Sequence, residues 1–351
     1  MTEPVSAPPA HRTRWGLLAT VGVLAIGAVA AYVAQVNGAF RTHEKVAILT
    51  WNQDAFWDFT QQGAADAAKE LGVELTFVKS EPTLDAQNGH FKKLLDAGNA
   101  ALAISPNDPK QQESLINDAA AKAVVLTFDS DAPNTKRRGF VGTDDYLAGQ
   151  IAAEEIRAAV PDGGQVIISV GSLEMSNGRL RRQGVIDDLL DRPLRRDAAN
   201  DPADAKLDGK TYQVVATVLD NGDPAKAVSG IADALKANPD AKAVVGLFSY
   251  SGAAAVKAVE AAGAKDKVKV VAFDETPEVQ QGVQGGAIYS SIVQNQYRCG
   301  YETVRSMADL LRGTAQGAPE APRVTALSVA VMKSDNIDDL RRTRVVHTPA
   351  K

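Results

Sequence analysis

Cysteine is all but missing. Of 351 residues only Cys299 is a cysteine, which excludes an internal disulfide framework and any cysteine-built metal cage. It lies between Arg298 and Gly300 at the start of a helical pattern, and we read it as a small packing residue rather than a reactive thiol. Histidine is almost as sparse. His11, His43, His90 and His347 are scattered and offer no metal-ligand spacing. No glycine-rich phosphate loop ends in Lys and Ser or Thr, and no Gly-x-Gly-x-x-Gly follows a strand. Ser172 follows Gly171, but the Gly-x-Ser-x-Gly elbow is not formed and no base accompanies it. These absences argue against an enzyme and against a cofactor. A lysine-rich block is missing too, and the net charge is −5, which argues against a nucleic-acid partner.

What is present is ordinary in bulk: 45% apolar residues, 23% charged and 5% aromatic, a soluble globular composition with few rings. The length suits two domains of about 150 residues each. The front end differs from the rest. Residues 1–14 are Pro-rich and basic at their end, and Gly16 to Val36 carries no charge for 21 residues, enough helix to cross a hydrocarbon core of about 30 Å. We read residues 1–44 as an export signal or membrane anchor. The length of the apolar run favours an anchor; its Ala and Gly content favours a cleaved peptide. No lipobox cysteine follows it. Either way the remainder is expected in the periplasm or on the exterior of the cell envelope, with inner-membrane attachment if the segment stays.

From Lys45 onward short apolar runs alternate with helical patterns. Strands are expected at 46–50, 74–78, 100–104, 123–128 and 139–142, with helices around Phe56–Leu71, at 84–97 and at 111–121. The same grammar then restarts, with strands at 165–170, 212–219, 243–248, 267–273 and 289–294 and helices at 177–190, 224–238, 252–263 and 297–311. Residues 191–210, polar with two prolines, read as a surface insertion. A last strand is expected at 324–331, then a polar tail from Asn336. Two rounds in series imply an α/β chain of two doubly wound parallel-sheet lobes.

Two phrases echo each other across these rounds. Lys122 to Ser130 and Val270 to Pro277 are strand-length apolar runs ending on a carboxylate, Asp129 and Asp274. In an open parallel sheet the carboxyl end is where ligands bind, so the two are expected to face each other across an interlobe cleft. Other strand ends supply Asp54, Phe56 and Trp57, then Arg179, Arg181 and Arg182, then Ser249 and Tyr250, and finally Gln294. A sugar needs such a set: carboxylates, amide and guanidinium saturate its hydroxyls, and aromatic rings cover its C–H faces. Plainer roles stand beside these. Either Asp can be a capping carboxylate, Phe56 and Trp57 can be core, and the arginine run can be a solvated helix face. Asp220-Asn221-Gly222-Asp223 is read as a turn rather than a calcium loop.

At these residues the chain resembles the periplasmic sugar-binding proteins of the ribose-binding type, solute receptors of ABC importers that share a fold with LacI-type repressors. Its marks are Val46-Ala47-Ile48 with Phe56-Trp57 and Gly63-Ala64, Val124 to Asp129, Val141-Gly142-Thr143-Asp144, Asn238-Pro239-Asp240 before Ala243-Val244-Val245, and Val271 to Pro277. The resemblance implies two Rossmann-like lobes with three crossings near Thr143, Gln294 and Pro322. The first lobe would hold 45–143 and 295–322 and the second 144–294 and 323–345, with 346–351 as a tail. It implies that Phe56 and Trp57 sandwich a sugar ring while Asp129, Arg181, Asp274 and Gln294 bond its hydroxyls. Three departures stand out. Asp54 replaces a frequent Asn, Ser130 an Arg, and Phe248-Ser249-Tyr250 an Asn-Asp pair, so another pentose, a hexose or a polyol fits as well as ribose. The expected function is binding a monosaccharide and delivering it to an ABC permease; the alternative is a membrane-anchored sugar sensor acting on a signalling partner.

Overall fold

The computed structural model describes residues 43–195, 200–314 and 322–343. The apolar segment Gly16–Val36, part of the insertion and the end of the tail lie outside these. Two sheets carry the fold. The first is built from β1 (Lys45–Leu49), β2 (Glu74–Val78), β3 (Ala101–Ile104), β4 (Val124–Phe128), β5 (Gly139–Thr143) and β12 (Arg323–Leu327), in the order β12-β5-β4-β3-β1-β2, all parallel. The second contains β6 (Gly164–Val170), β7 (Leu207–Asp208), β8 (Tyr212–Leu219), β9 (Ala241–Gly246), β10 (Lys269–Phe273), β11 (Ser290–Gln294) and β13 (Val329–Met332). Its order is β13-β11-β10-β9-β6-β8-β7, with only the two edge strands antiparallel. The helices are α1 (Phe56–Leu71), α2 (Leu84–Asp96), α3 (Glu113–Ala120), α4 (Asp145–Ala159), α5 (Ser176–Leu189), α6 (Pro224–Ala237), α7 (Ser251–Ala261), α8 (Pro277–Gln284), α9 (Gln296–Arg312) and α10 (Ile337–Arg342).

The central strands read as continuous apolar runs because helices cover both faces of each sheet. In the first sheet Val46 and Ile48 face α1 and α9, whereas Ala47 and Leu49 face α2 and α3. In the second, Ile168 and Val170 pack toward α4 and α5, and Ile167 toward α6 and α7. Cys299 is buried in the first core, its Sγ 3.8 Å from the Val141 carbonyl.

One helix pair in each lobe is packed by glycine. A methyl on Gly63 of α1 would collide with the Tyr297 carbonyl of α9, and one on Gly300 of α9 with the Thr60 carbonyl. In the second lobe Gly149 of α4 meets the Arg181 carbonyl of α5, and Gly184 meets that of Tyr146. Backbones therefore touch at both places, and any side chain would wedge the helices apart.

Several expectations need correcting. The last strand is two strands, β12 in the first sheet and β13 in the second, with Ser328 alone between them. The third crossing is thus Ser328 rather than Pro322, and residues 323–327 belong to the first lobe. An apolar run that leaves one core at Leu327 and enters the other at Met332 keeps its pattern, so periodicity does not reveal the exchange. Helix α8, opened by Pro277 and capped by the Thr276 hydroxyl, was not expected, nor was α10 within the polar tail. The described part of the insertion is at the surface, as expected, and is tied to α5 through residues 201–202. Arg182 donates to the Asp201 and Pro202 carbonyls at 2.7 and 2.9 Å, and Asp201 accepts from Gln183, Arg192 and Arg195.

Candidate functional site

Asp129 and Asp274 end β4 and β10 in the same unusual way. Their φ angles are 59° and 64°, a left-handed conformation that costs a side-chain-bearing residue about 1–2 kcal/mol. Each backbone N–H donates into the neighbouring strand, Asp129 to the Val141 carbonyl at 3.0 Å and Asp274 to that of Ile292 at 2.9 Å. The turn lifts each carboxylate off the sheet edge. Strain held at matching places in both lobes points to a shared purpose.

Arg181, only 2% exposed, joins the parts. Its Nε donates to Asp145 Oδ1 at 2.9 Å, Nη1 to the Leu247 carbonyl at 3.0 Å and Nη2 to Gln294 Oε1 at 2.7 Å. The guanidinium lies 4.9 Å from the Phe273 ring centroid, within cation–π range. Gln294 passes the chain on: its amide donates to Asp274 Oδ1 at 2.8 Å, and its oxygen also accepts from the Thr143 hydroxyl at 2.9 Å. Thr143 and Gln294 end β5 and β11, where the chain crosses between lobes.

The lobes touch around a cavity of about 300 Å³. Asp129 Oδ2 accepts from Ser105 at 3.0 Å within its own lobe and from Asn177 Nδ2 at 3.1 Å across the gap. Asp54 Oδ2 accepts from Ser249 of the other lobe at 3.4 Å, while Oδ1 receives the Phe56 N–H at 2.8 Å and so holds the start of α1. The Trp51 and Phe248 rings, one from each lobe, stand 6.2 Å apart.

Of the residues expected at the site, Asp54, Phe56, Asp129, Arg181, Ser249, Asp274 and Gln294 line this cavity. Arg182, turned to the 201–202 segment, does not, and neither do three others. Trp57 is fully buried in the first core, its indole N–H donating to Asn52 Oδ1 at 2.6 Å and its ring edge-on to Phe128. Successive helix residues point about 100° apart, so Phe56 and Trp57 cannot share a target. Arg179, half-buried on α5, is two positions from Arg181 and faces away from it by the same rule. Tyr250 stands behind Phe248 and donates to Asp220 Oδ1 at 2.5 Å.

Trp51, Asn52 and Asn177 line the cavity but were not anticipated, and Phe248 was noted only as a departure. Trp51 and Asn52 follow β1 almost directly, so the strand-end rule that found Asp54 applies to them as well. Asn177 stands in the first turn of α5, where nothing in the sequence separates a cap from a ligand group.

Burial dominates the electrostatics. It pushes the Asp274 carboxyl up to about 7 against the pull of Arg181 and the Gln294 hydrogen bond, and Asp145 likewise to about 7 against Arg181. Asp129 is raised for the same reason. Burial opposes the charge of Arg181, but Asp145, Asp274 and Asp129 outweigh it and hold the guanidinium charged. The arrangement is rich in acceptors with a few fixed donors.

The chain matches the model of the periplasmic binding protein domain over residues 46–315 and belongs to that family. It is 25% identical over 259 residues to the ribose import binding protein of Escherichia coli K12, covering 74% of this chain and 81% of that protein. It is 26% identical over 305 residues to the fructose import binding protein of Bifidobacterium longum, covering 84% and 80%. Among solved structures, an ABC transporter solute-binding protein of Burkholderia graminis in complex with D-arabinose is 28% identical, with a TM-score of 0.74 over 84% of this chain and 96% of that one. A glucose-galactose binding protein of Geobacillus stearothermophilus is 26% identical, with a TM-score of 0.75 over 85% and 99%.

Proposed function

We propose that this protein is an extracytoplasmic receptor that binds a monosaccharide between its lobes and presents the closed form to an ABC-type permease. The observation that carries the reading is the convergence, in one cavity of about 300 Å³, of Asp129 from the first lobe with Arg181 and Asp274 from the second. Asp54, Asp129 and Asp274 accept from sugar hydroxyls; Arg181, Asn177 and Gln294 donate to them. Phe56 covers a C–H face, with the Trp51 and Phe248 rings at the side. A ligand holding groups of both lobes favours the closed arrangement by its differential affinity for it.

Isothermal titration against a panel of pentoses, hexoses and polyols tests this. A saturable heat with at least one sugar, lost in Asp274→Asn, is the expected outcome; no heat with any member overturns the reading. Deleting the gene tests the partner. Uptake of the bound sugar fails if a permease is served, whereas intact uptake with lost sugar-induced expression points to a sensor.

A further inference from the structure

The cavity between the lobes has a neighbour. A second space of about 610 Å³ adjoins it, and both are walled by Trp51 and Phe248. This outer chamber is bounded by Pro82 and Leu84 of the first lobe and Met175 of the second, with Asn107 and Gln111 on one side and Asn221 on the other. It follows β2, the edge strand of the first sheet, and β8, next to the edge of the second, both away from the crossings at β5, β11 and β12. It is therefore on the side where the cleft opens. Its walls pair apolar surface with amide groups and with Asp108 and Glu174, and one amide is uncommitted: the Asn107 Nδ2 is buried and has no hydrogen-bond partner, while its backbone N–H is held by Gln87 Oε1 at 3.1 Å. A buried donor without an acceptor costs about 1–3 kcal/mol, which an acceptor supplied from outside would remove.

We propose that the outer chamber is a second subsite, one that takes the aglycone or second sugar unit of a glycoside whose first ring occupies the inner cavity. The inference rests on the monosaccharide reading of that inner cavity. The glycosidic substituent passes the Trp51–Phe248 pair, lies against Leu84 and Met175, and accepts from Asn107 Nδ2. Because the chamber is on the open side of the cleft, a substituent there leaves the closure around the first ring intact.

The test is titration of the purified protein with free D-ribose, L-arabinose, D-galactose and D-glucose and with the methyl and p-nitrophenyl glycosides of each, in both anomers. At least one p-nitrophenyl glycoside should bind about 10-fold more tightly than its parent sugar. Asn107→Ala and Gln111→Trp, the first removing the donor and the second filling the chamber from an exposed position in the turn before α3, should bring that ratio to about 1 with the parent affinity within about 2-fold. If free sugars bind and every glycoside binds more weakly than its parent, or if the advantage survives both variants, the subsite is overturned and the monosaccharide reading stands. If none of these sugars or glycosides binds, the subsite falls, and the monosaccharide reading falls with it when the full panel of pentoses, hexoses and polyols also gives no heat.

Discussion

The two lobes solve one packing problem with different chemistry. In each, a helix following the first strand and a helix following a crossing meet backbone to backbone through two glycines, Gly63 with Gly300 and Gly184 with Gly149. Aligning the pairs on those glycines sets Thr60 against Arg181 and Gln296 against Asp145. The first lobe joins its pair by a neutral hydrogen bond, Thr60 Oγ1 to Gln296 Oε1 at 2.9 Å; the second joins its pair by a buried ion pair at 2.9 Å. The same alignment sets Phe56 against Asn177 and Trp57 against Gly178. One lobe thus offers a ring and a rigid core behind it, and the other offers donors. The neutral pair shows that the fold does not need charge at this position. What Arg181 adds is reach: it also lines the cavity.

Breaking the charged pair is the largest test of that comparison. Arg181→Met leaves Asp145 buried and unpaired, and should cost about 3–5 kcal/mol of stability, read by urea denaturation. Copying the first lobe, Arg181→Thr with Asp145→Gln, should recover most of that loss while sugar binding stays absent. Recovery of binding as well would show the arginine to be structural only.

Titration of Asp274 comes next. Its carboxyl rises from the ordinary 3.8 to about 7 in the fold, so the folded state binds the extra proton between those values. Stability from this group is full below about pH 4, is lost as pH rises to about 7, and is level above. The melting temperature of wild type minus that of Asp274→Asn should fall between about pH 4 and about pH 7 and then level off; a wild-type value that rises relative to the variant's over that range refutes it.

Gly63→Ala and Gly149→Ala should each cost about 1–3 kcal/mol by overpacking. Only the second should also weaken sugar binding, because its methyl meets the backbone of Arg181. Smallest is Thr143→Val, about 0.5–1.5 kcal/mol for one lost hydrogen bond to Gln294, seen as a modest fall in melting temperature.

The lobes and most strands were legible because apolar runs flanked by helix periodicity leave few other folds, and Asp129 and Asp274 because each ends such a run. What stayed hidden has physical causes. Phe56 and Trp57 are adjacent letters whose separation into cavity and core depends on where α1 meets the sheet. Arg179, Arg181 and Arg182 differ only by rotation about α5, one half-buried, one in the cavity wall and one clamping the 201–202 segment. Val324 to Met332 keeps one apolar pattern while passing from sheet to sheet.

That last passage limits how the molecule can move. With Ser328 alone between β12 and β13, Leu327 and Val329 cannot separate by more than about 7 Å, the reach of two Cα–Cα steps. At this margin the halves are pinned as pages are at the spine of a book. Any parting must fan outward from it and be widest beyond β2 and β7, so a solute enters from the fore-edge and reaches the acidic floor last.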